Sequence, residues 1–391
     1  MVEASIAIDD GLSFRTLVQD AQMTSAWLPE HLGTLTAGDA HRVPPVDPSV
    51  DRTRHPRLRS DMVYWDMWPI QAPDGSIADC AGRELWMALT APDRGDPALR
   101  HFEAKIRLLE RSGGHWIDRG AVLPDEPQPY EREWAGSALL DGTDVHLFFT
   151  AAGVADRPGG YQQRLYEAKA TLGADGFPAG WSQPRPCLAS NHPAYQLADA
   201  HEGRAGEIKA FRDPAFFRDP ADGSEYLIFT ASLADAKSEF NGAVGIAKRQ
   251  AGGWDLLPPL LQADGVNNEL ERAHAVFHDG RYYLFWATQR STFAPGLRHA
   301  PNGLYGMVAD SLFGEYRPLN ESGLVLANPE ADPAQTYSWF VSRELVVSGF
   351  VDMLVERSDG ADTARFGGVP APLLQLSING DACKLEGIVA V

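Results

Sequence analysis

Cysteine is nearly absent from this chain of 391 residues, with three in all: Cys80, Cys187 and Cys383. The number is odd and no CxxC pair occurs, which excludes a disulfide framework and a cysteine-based zinc site. Basic residues are scarce too, 34 Lys and Arg against 53 Asp and Glu, for a formal net charge of −19. Nucleic acid and anionic membrane surfaces both call for clustered cations, so neither is an expected partner. A neutral ligand such as a sugar meets no penalty in an acidic field. No apolar run approaches the roughly 18 residues of a membrane-spanning helix. The segment Met1 to Asp20 lacks a basic start and carries Asp9-Asp10 where a secretory signal would have its apolar centre. The expectation is a soluble protein, cytoplasmic or exported by a non-standard route. A long helical period is missing as well, which leaves an all-β fold.

What is present reads as strands. Glycine (37) and proline (28) punctuate short aromatic and β-branched runs such as Val145–Thr150, Tyr226–Thr230 and Tyr282–Trp286. The length allows two or three domains or one large all-β domain. Residues 1–60 differ from the rest, being rich in Pro, Asp and Arg (Pro44, Pro45, Pro48, Arg52, Arg54, Arg57, Arg59). Only Leu12–Val18 and Ala26-Trp27-Leu28 look able to pack there. This segment is expected to be an arm on a body formed by residues 61–391.

The body contains a repeat. Asp-Gly pairs stand at 74, 141, 222 and 279, and the last three open near-copies of one strand: HLFFTA, YLIFTA and YLFWAT. Asp-Gly suits a two-residue hairpin turn, so each pair is expected to join two antiparallel strands. Seven to nine residues upstream of these pairs lie Asp66, Trp134, Asp213 and Glu271. A weaker fifth copy runs through Tyr337–Val341, a turn near Arg343-Glu344, and Leu345–Phe350. Five such units predict a five-bladed β-propeller, in which the first strand of each blade lines a central channel and brings distant residues to one axial pocket.

Three of those residues are carboxylates. Retaining glycoside cleavage needs two carboxyl groups, a nucleophile and an acid/base, and a third can hold sugar hydroxyls. Asp213 beside Arg212 is expected to stay ionised, and Glu271, near Glu269, to have the raised pKa of an acid/base. Strand alternation puts Glu269 and Glu271 on one face and turns Arg272 away from Glu271. Trp65 and Trp134 offer apolar faces to a sugar ring. His274 reads as a structural histidine, and Asp219 and Asp222 as turn residues.

The same residues carry a family pattern. Trp65–Pro69, Glu133–Ser137, Phe211–Pro214, Glu271–His274, Asn320–Leu326 and Gln335–Ser338, in that order, resemble glycoside hydrolase family 68, the levansucrases, inulosucrases and bacterial β-fructofuranosidases. The resemblance implies a five-bladed propeller acting on sucrose, with Asp66 as nucleophile, Glu271 as general acid/base and Asp213 as transition-state stabiliser. It implies that Trp65 and Trp134 wall the fructosyl subsite, and that Arg212, Glu269, Arg290 and Tyr337 contact substrate or position the acid/base. The implied activity is fructosyl transfer of the levansucrase type, with sucrose and fructosyl acceptors as partners. The alternatives are a mainly hydrolytic β-fructofuranosidase and a silent carbohydrate-binding propeller. No cofactor is required by this chemistry; some members carry a structural calcium, whose ligands cannot be located in this sequence. Two departures stand out. Ala135 replaces a common Ser expected to touch the nucleophile, and Glu321 replaces a common Gly.

Overall fold

The computed structural model describes residues 24–35, 41–46, 58–190, 192–204, 206–357 and 362–389. The segment Leu12–Val18 and residues Pro48, Arg52, Arg54 and Arg57 lie outside them. Among the described residues the structure is all-β apart from one short α-helix, Pro29–Leu32, and three 3₁₀ turns. No helix among them is long and apolar enough to cross a membrane.

The strands form antiparallel meanders, each counted from its first strand. The first runs through Met62–Gln71, Glu84–Pro92, Lys105–Ser112 and His115–Ala121. The second pairs Arg132–Asp141, Asp144–Ala152 and Gln163–Leu172. The third pairs Phe211–Arg218, Glu225–Ser232, Gly242–Gln250 and Gly253–Gln262. The fourth pairs Glu271–His278, Arg281–Thr288, Gly303–Ala309 and Leu324–Ala327. The fifth pairs Thr336–Val341 and Val346–Glu356, which carries Leu374–Asn379 and Ala382–Ile388 beyond it. A two-residue parallel pairing, Ile70 with Ala138 and Gln71 with Leu139, joins the first two meanders into one sheet.

The first strands adjoin one another in sequence order, and the fifth meander returns to the first. All but the fourth, which is half-buried, are buried almost throughout, so their sequences are runs of apolar and special residues with no clean alternation. Side chains from facing sheets fill the spaces between meanders: Ile70, Ala138 and Phe149 between the first and second, Leu139, Phe148 and Phe216 between the second and third, Ile228, Val244 and Leu284 between the third and fourth. Polar side chains bridge the same seams. Ser137 Oγ accepts from the Phe216 amide at 2.9 Å, Tyr282 donates to Asp219 at 2.6 Å, and His274 Nε2 accepts from the Val341 amide at 2.9 Å. Between fifth and first, the Ile77 amide donates to Glu344 at 3.0 Å and Arg343 pairs with Asp74.

Parts of the N-terminal segment extend two sheets. Ser25–Ala26 lies parallel to Leu261 and Gln262, and His41–Arg42 parallel to Leu326 and Ala327. Trp27 is fully buried between Trp286, Phe293 and Tyr305, at ring separations of 5.1–5.7 Å in edge-on or tilted contacts.

The Asp-Gly pairs differ in detail from the expectation. Only Asp279-Gly280 fills a two-residue turn, both residues having positive φ, with His278 opposite Arg281. Asp141 pairs with Asp144, which makes Gly142-Thr143 the turn. Asp222-Gly223 and Asp74-Gly75 lie in longer loops between their strands. Because the turns differ in length, counting back from them does not give a common register.

Candidate active site

That register comes from β-bulges. Each first strand slips by one residue against its neighbour, between Trp65 and Trp68, Trp134 and Gly136, Arg212 and Ala215, Glu271 and His274, and Tyr337 and Phe340. The last paired residues before the five slips are Trp65, Trp134, Arg212, Glu271 and Tyr337. The residues entering the bulges are Asp66, Ala135, Asp213, Arg272 and Ser338. Four of these five have left-handed backbone: φ is 45° at Asp66, 59° at Asp213, 51° at Arg272 and 58° at Ser338. Aspartate tolerates that region better than most side chains, whereas Arg272 is held there against its preference. An extra residue at a bulge re-aims side chains, so two successive residues of one strand can face the same cavity.

All ten line one pocket of about 520 Å³. Carboxylates and Arg212 form its buried centre. Arg212 Nη2 donates to Glu269 at 2.8 Å and to Glu271 at 3.0 Å, and its Nε lies 3.4 Å from Asp213. Tyr337 donates its hydroxyl to the other oxygen of Glu271. Asp213 Oδ2 accepts from Thr230 at 3.1 Å and from the Arg272 amide at 3.3 Å. Ser338 hydrogen-bonds the Asp66 carboxyl, so a hydroxyl reaches Asp66 from the fifth meander although Ala135 supplies none from the second. The Arg272 guanidinium is tied to the Ser338 carbonyl at 2.6 Å and the Met67 carbonyl at 2.5 Å. Trp134 Nε1 donates to the His101 carbonyl at 3.1 Å, which fixes its ring.

Electrostatics follow burial more than adjacency. Burial raises Asp213 to about 6, against the pull of Arg212 and helped by Glu271 and Asp66. The expectation that Arg212 keeps Asp213 ionised holds only above about pH 6: Arg212 lowers the value, but desolvation outweighs it. Burial likewise raises Asp66, opposed by Arg272 and by the Ser338 hydrogen bond. In the Glu269–Glu271 pair the upward shift falls on Glu269, to about 8, through burial first and then the charge and hydrogen bond of Glu271, against Arg212. The sequence reading placed that shift on Glu271. His274 is held near 3 by burial; its Nδ1 lies 2.8 Å from the Arg272 carbonyl and its Nε2 accepts from Val341, so the ring is neutral and structural.

The structure thus brings together Trp65, Asp66, Trp134, Arg212, Asp213, Glu269, Glu271 and Tyr337, and leaves Arg290 apart. Arg290 is exposed and lines a neighbouring cavity of about 370 Å³ with Arg42 and Asn302, while Gln289 and Ser291 on either side of it line the main pocket. The expectation that Arg272 faces away from Glu271 fails at the bulge. Its signal was position: it follows Glu271 as Asp66 follows Trp65 and Asp213 follows Arg212. Ser338 had the same signal after Tyr337. Arg100 and Asp352, which also line the pocket, come from a loop and a second strand and had none. Among the described residues no group of three or more His, Cys, Asp or Glu side chains converges to hold a metal ion.

The chain is similar to known proteins over most of its length. The family profile described as Levansucrase/Invertase matches residues 19–245 and 235–388. The levansucrase of Rahnella aquatilis is 31% identical over 90% of this chain and 94% of its own length. That of Erwinia amylovora is 32% identical, over 88% and 92%. Among solved structures, the inulosucrase from Halalkalicoccus jeotgali bound to kestose superposes with a TM-score of 0.82 at 37% identity, over 94% of this chain and 96% of that one. The catalytic domain of the Microbacterium saccharophilum β-fructofuranosidase shares the fold, with a TM-score of 0.79 at 24% identity over 93% and 91%.

Proposed function

The chain belongs to the levansucrase/invertase family, glycoside hydrolase family 68, and from that premise we propose that it is a retaining fructosyltransferase of the levansucrase type, splitting sucrose and passing the fructosyl group to a sugar or to water. The observation that carries the reading is the double ring of bulge residues, which gathers three carboxylates, two tryptophans and Arg212 in one buried pocket.

In this reading Asp66 attacks the anomeric carbon of the fructosyl unit. Its half-buried place on the pocket wall and its left-handed backbone support the role, since both restrict the carboxylate to one orientation. Glu271 protonates the departing glycosidic oxygen and later takes the proton of the incoming hydroxyl. Glu269 lies beside Glu271 on the same Arg212 guanidinium, and burial pushes its carboxyl up to about 8, so it favours holding a proton next to the acid/base. Arg212 and Tyr337, each bonded to one oxygen of Glu271, fix its direction. Asp213 faces the positive charge that develops on the fructosyl ring. Arg272 neutralises part of the acidic centre; its cation is the largest influence opposing the burial of Asp66. Trp65 and Trp134 wall the sugar.

The five meanders are the blades of a five-bladed β-propeller on this reading, supported by the order in which their first strands adjoin. On this reading residues 61–391 are the catalytic body, and the described parts of the segment before it, Ser25–Ala26 and His41–Arg42, pair with its sheets as an arm would. The test is product analysis at high sucrose. Glucose released in excess of free fructose, with fructosylated sugars making up the difference, is the expected result; no glucose from folded protein refutes the activity.

A further inference from the structure

Two charged side chains in the pocket take no part in the chemistry above. Arg100 stands on the 3₁₀ turn Pro97–Phe102, which is anchored at its start by the Asp96 side chain on the Ala98 amide at 2.9 Å. Trp134 holds the same turn from the second meander through the His101 carbonyl. The Arg100 guanidinium reaches over Phe366 of the fifth meander, 4.5 Å from its centroid, and lies 5.6 Å from the Trp65 ring. Its Nη1 donates to the Pro97 carbonyl at 2.6 Å, but its Nε is buried with no partner. Asp352 lies in the second strand of the fifth meander, where the pairing with Thr363–Pro370 slips between Val351 and Met353. Its amide is bonded to the Gln335 carbonyl at 2.8 Å. Its carboxyl makes no hydrogen bond or ion pair among the described residues, and it is half-buried on the pocket wall, where burial raises its pKa.

Buried polar groups without partners are rare, and each needs a reason. Here Arg100 Nε is one such group, and it shares the cavity with the half-buried carboxylate of Asp352. Each is the other's largest opposite-charge influence, and both feel Asp66, yet no ion pair joins them among the described residues. A gap between a donor and an acceptor that do not close on each other fits a hydroxyl group. A hydroxyl accepts from a guanidinium N–H and donates to a carboxylate at the same time. Neither apolar ligand nor free ion satisfies both groups.

We propose that Arg100 and Asp352 clamp one hydroxyl of the fructosyl ring beside Asp66, at the seam between the first and fifth meanders. This rests on the reading of the pocket as a fructosyl site. The clamp holds the ring from the seam between the first and fifth meanders, and so helps to set the angle at which the anomeric carbon meets Asp66. Because the contact is made in the bound sugar and in the transition state alike, its loss falls mainly on KM, with a smaller loss in kcat from misorientation.

The experiment compares wild type and Asp352→Ala on sucrose and on sucrose analogues that lack one fructosyl hydroxyl at a time. Asp352→Ala should lower kcat/KM for sucrose by about 10- to 100-fold, the range for a hydrogen bond to a charged group. Wild type should lose a similar factor on one deoxy analogue, and on that analogue alone the substitution should cost almost nothing more. An equal loss on every analogue, or none on sucrose, overturns the clamp while leaving the proposed activity standing. Wild type that fails to split sucrose at all overturns both. If Asp352→Ala does not accumulate as folded protein, Asp352→Asn takes its place, with a smaller loss in the same analogue pattern and the same overturning result.

Discussion

Asp213→Asn should remove activity and at the same time make the protein more stable at neutral pH than at acidic pH relative to wild type. Asp213 is 7% exposed, and burial lifts its carboxyl from the ordinary 3.8 to about 6. The folded state therefore holds a proton that the unfolded chain has lost between those two values. In that window wild type loses stability as pH rises, and above it the whole cost of the buried charge is present. The gap of about 2 corresponds to ~3 kcal/mol at full ionisation, taking 1.36 kcal/mol for each tenfold change. Between pH 5 and 7 the linkage relation leaves ~1.3 kcal/mol of that change. Asparagine has no charge to desolvate, so the variant lacks this slope. Any constant penalty from rearranged hydrogen bonds to Thr230 and the Arg272 amide is the same at each pH and drops out of the comparison. Urea unfolding followed by tryptophan fluorescence at pH 5, 6 and 7 measures the difference. It should move in the variant's favour by ~1 kcal/mol or more from pH 5 to 7, while sucrose turnover falls by about 10²–10³-fold. A difference that stays flat, or moves toward wild type as pH rises, would show that Arg212 and not desolvation governs Asp213.

That contest between Arg212 and burial marks the limit of what the chain discloses before folding. Trp65, Asp66, Trp134, Asp213 and Glu271 are unusual residues for buried strands, and their recurrence was enough to gather them. Their mutual register was not legible, because alternation assumes two residues per repeat and a bulge adds a third. Counted back from the Asp-Gly pairs, Asp66 and Glu271 seemed equivalent; in the folded chain Asp66 is equivalent to Arg272, and Glu271 to Trp65. The same slip turns Arg272 inward, where its cation opposes the burial of Asp66. Sequence neighbours also say little about desolvation, which depends on sheets from other meanders. Asp213 is enclosed by Thr150 and Thr230 of the second and third meanders as well as by Arg272 of the fourth. Arg290 shows the opposite error. Its neighbours Gln289 and Ser291 reach the pocket, but the 3₁₀ turn Arg290–Thr292 directs Arg290 itself elsewhere.

Asp66→Asn should lower sucrose turnover by roughly 10³-fold or more, because no covalent fructosyl ester can form; a folded variant that splits sucrose near the wild-type rate would remove Asp66 from the mechanism. Glu271→Gln should cost about 10²–10⁴-fold on sucrose and less on a fructoside with an activated leaving group; equal losses on the two would leave Glu271 only a binding role. Since the proposed steps use carboxylates alone, dialysis against EDTA should leave turnover unchanged, and complete loss restored by added calcium, with the fold intact, would contradict that. Glu321→Gly should stabilise the protein. Glu321 has φ of 63° and follows Asn320 at 49°, in a turn closed by the Gly323 amide on the Leu319 carbonyl at 2.7 Å. Left-handed backbone costs a residue with a Cβ roughly 1–2 kcal/mol, which asparagine offsets better than glutamate. Glycine removes that strain but gives the unfolded chain more freedom, a loss of about 0.5–1 kcal/mol. The net gain should be ~0.5–1 kcal/mol. Because the chain carries a net charge of −19, removing any exposed glutamate could stabilise it by relieving repulsion, and Glu321→Ala separates the two causes. Alanine discards the charge and keeps the Cβ. If backbone strain is the cause, urea unfolding should show the gain for glycine and not for alanine; equal gains for both would assign it to charge.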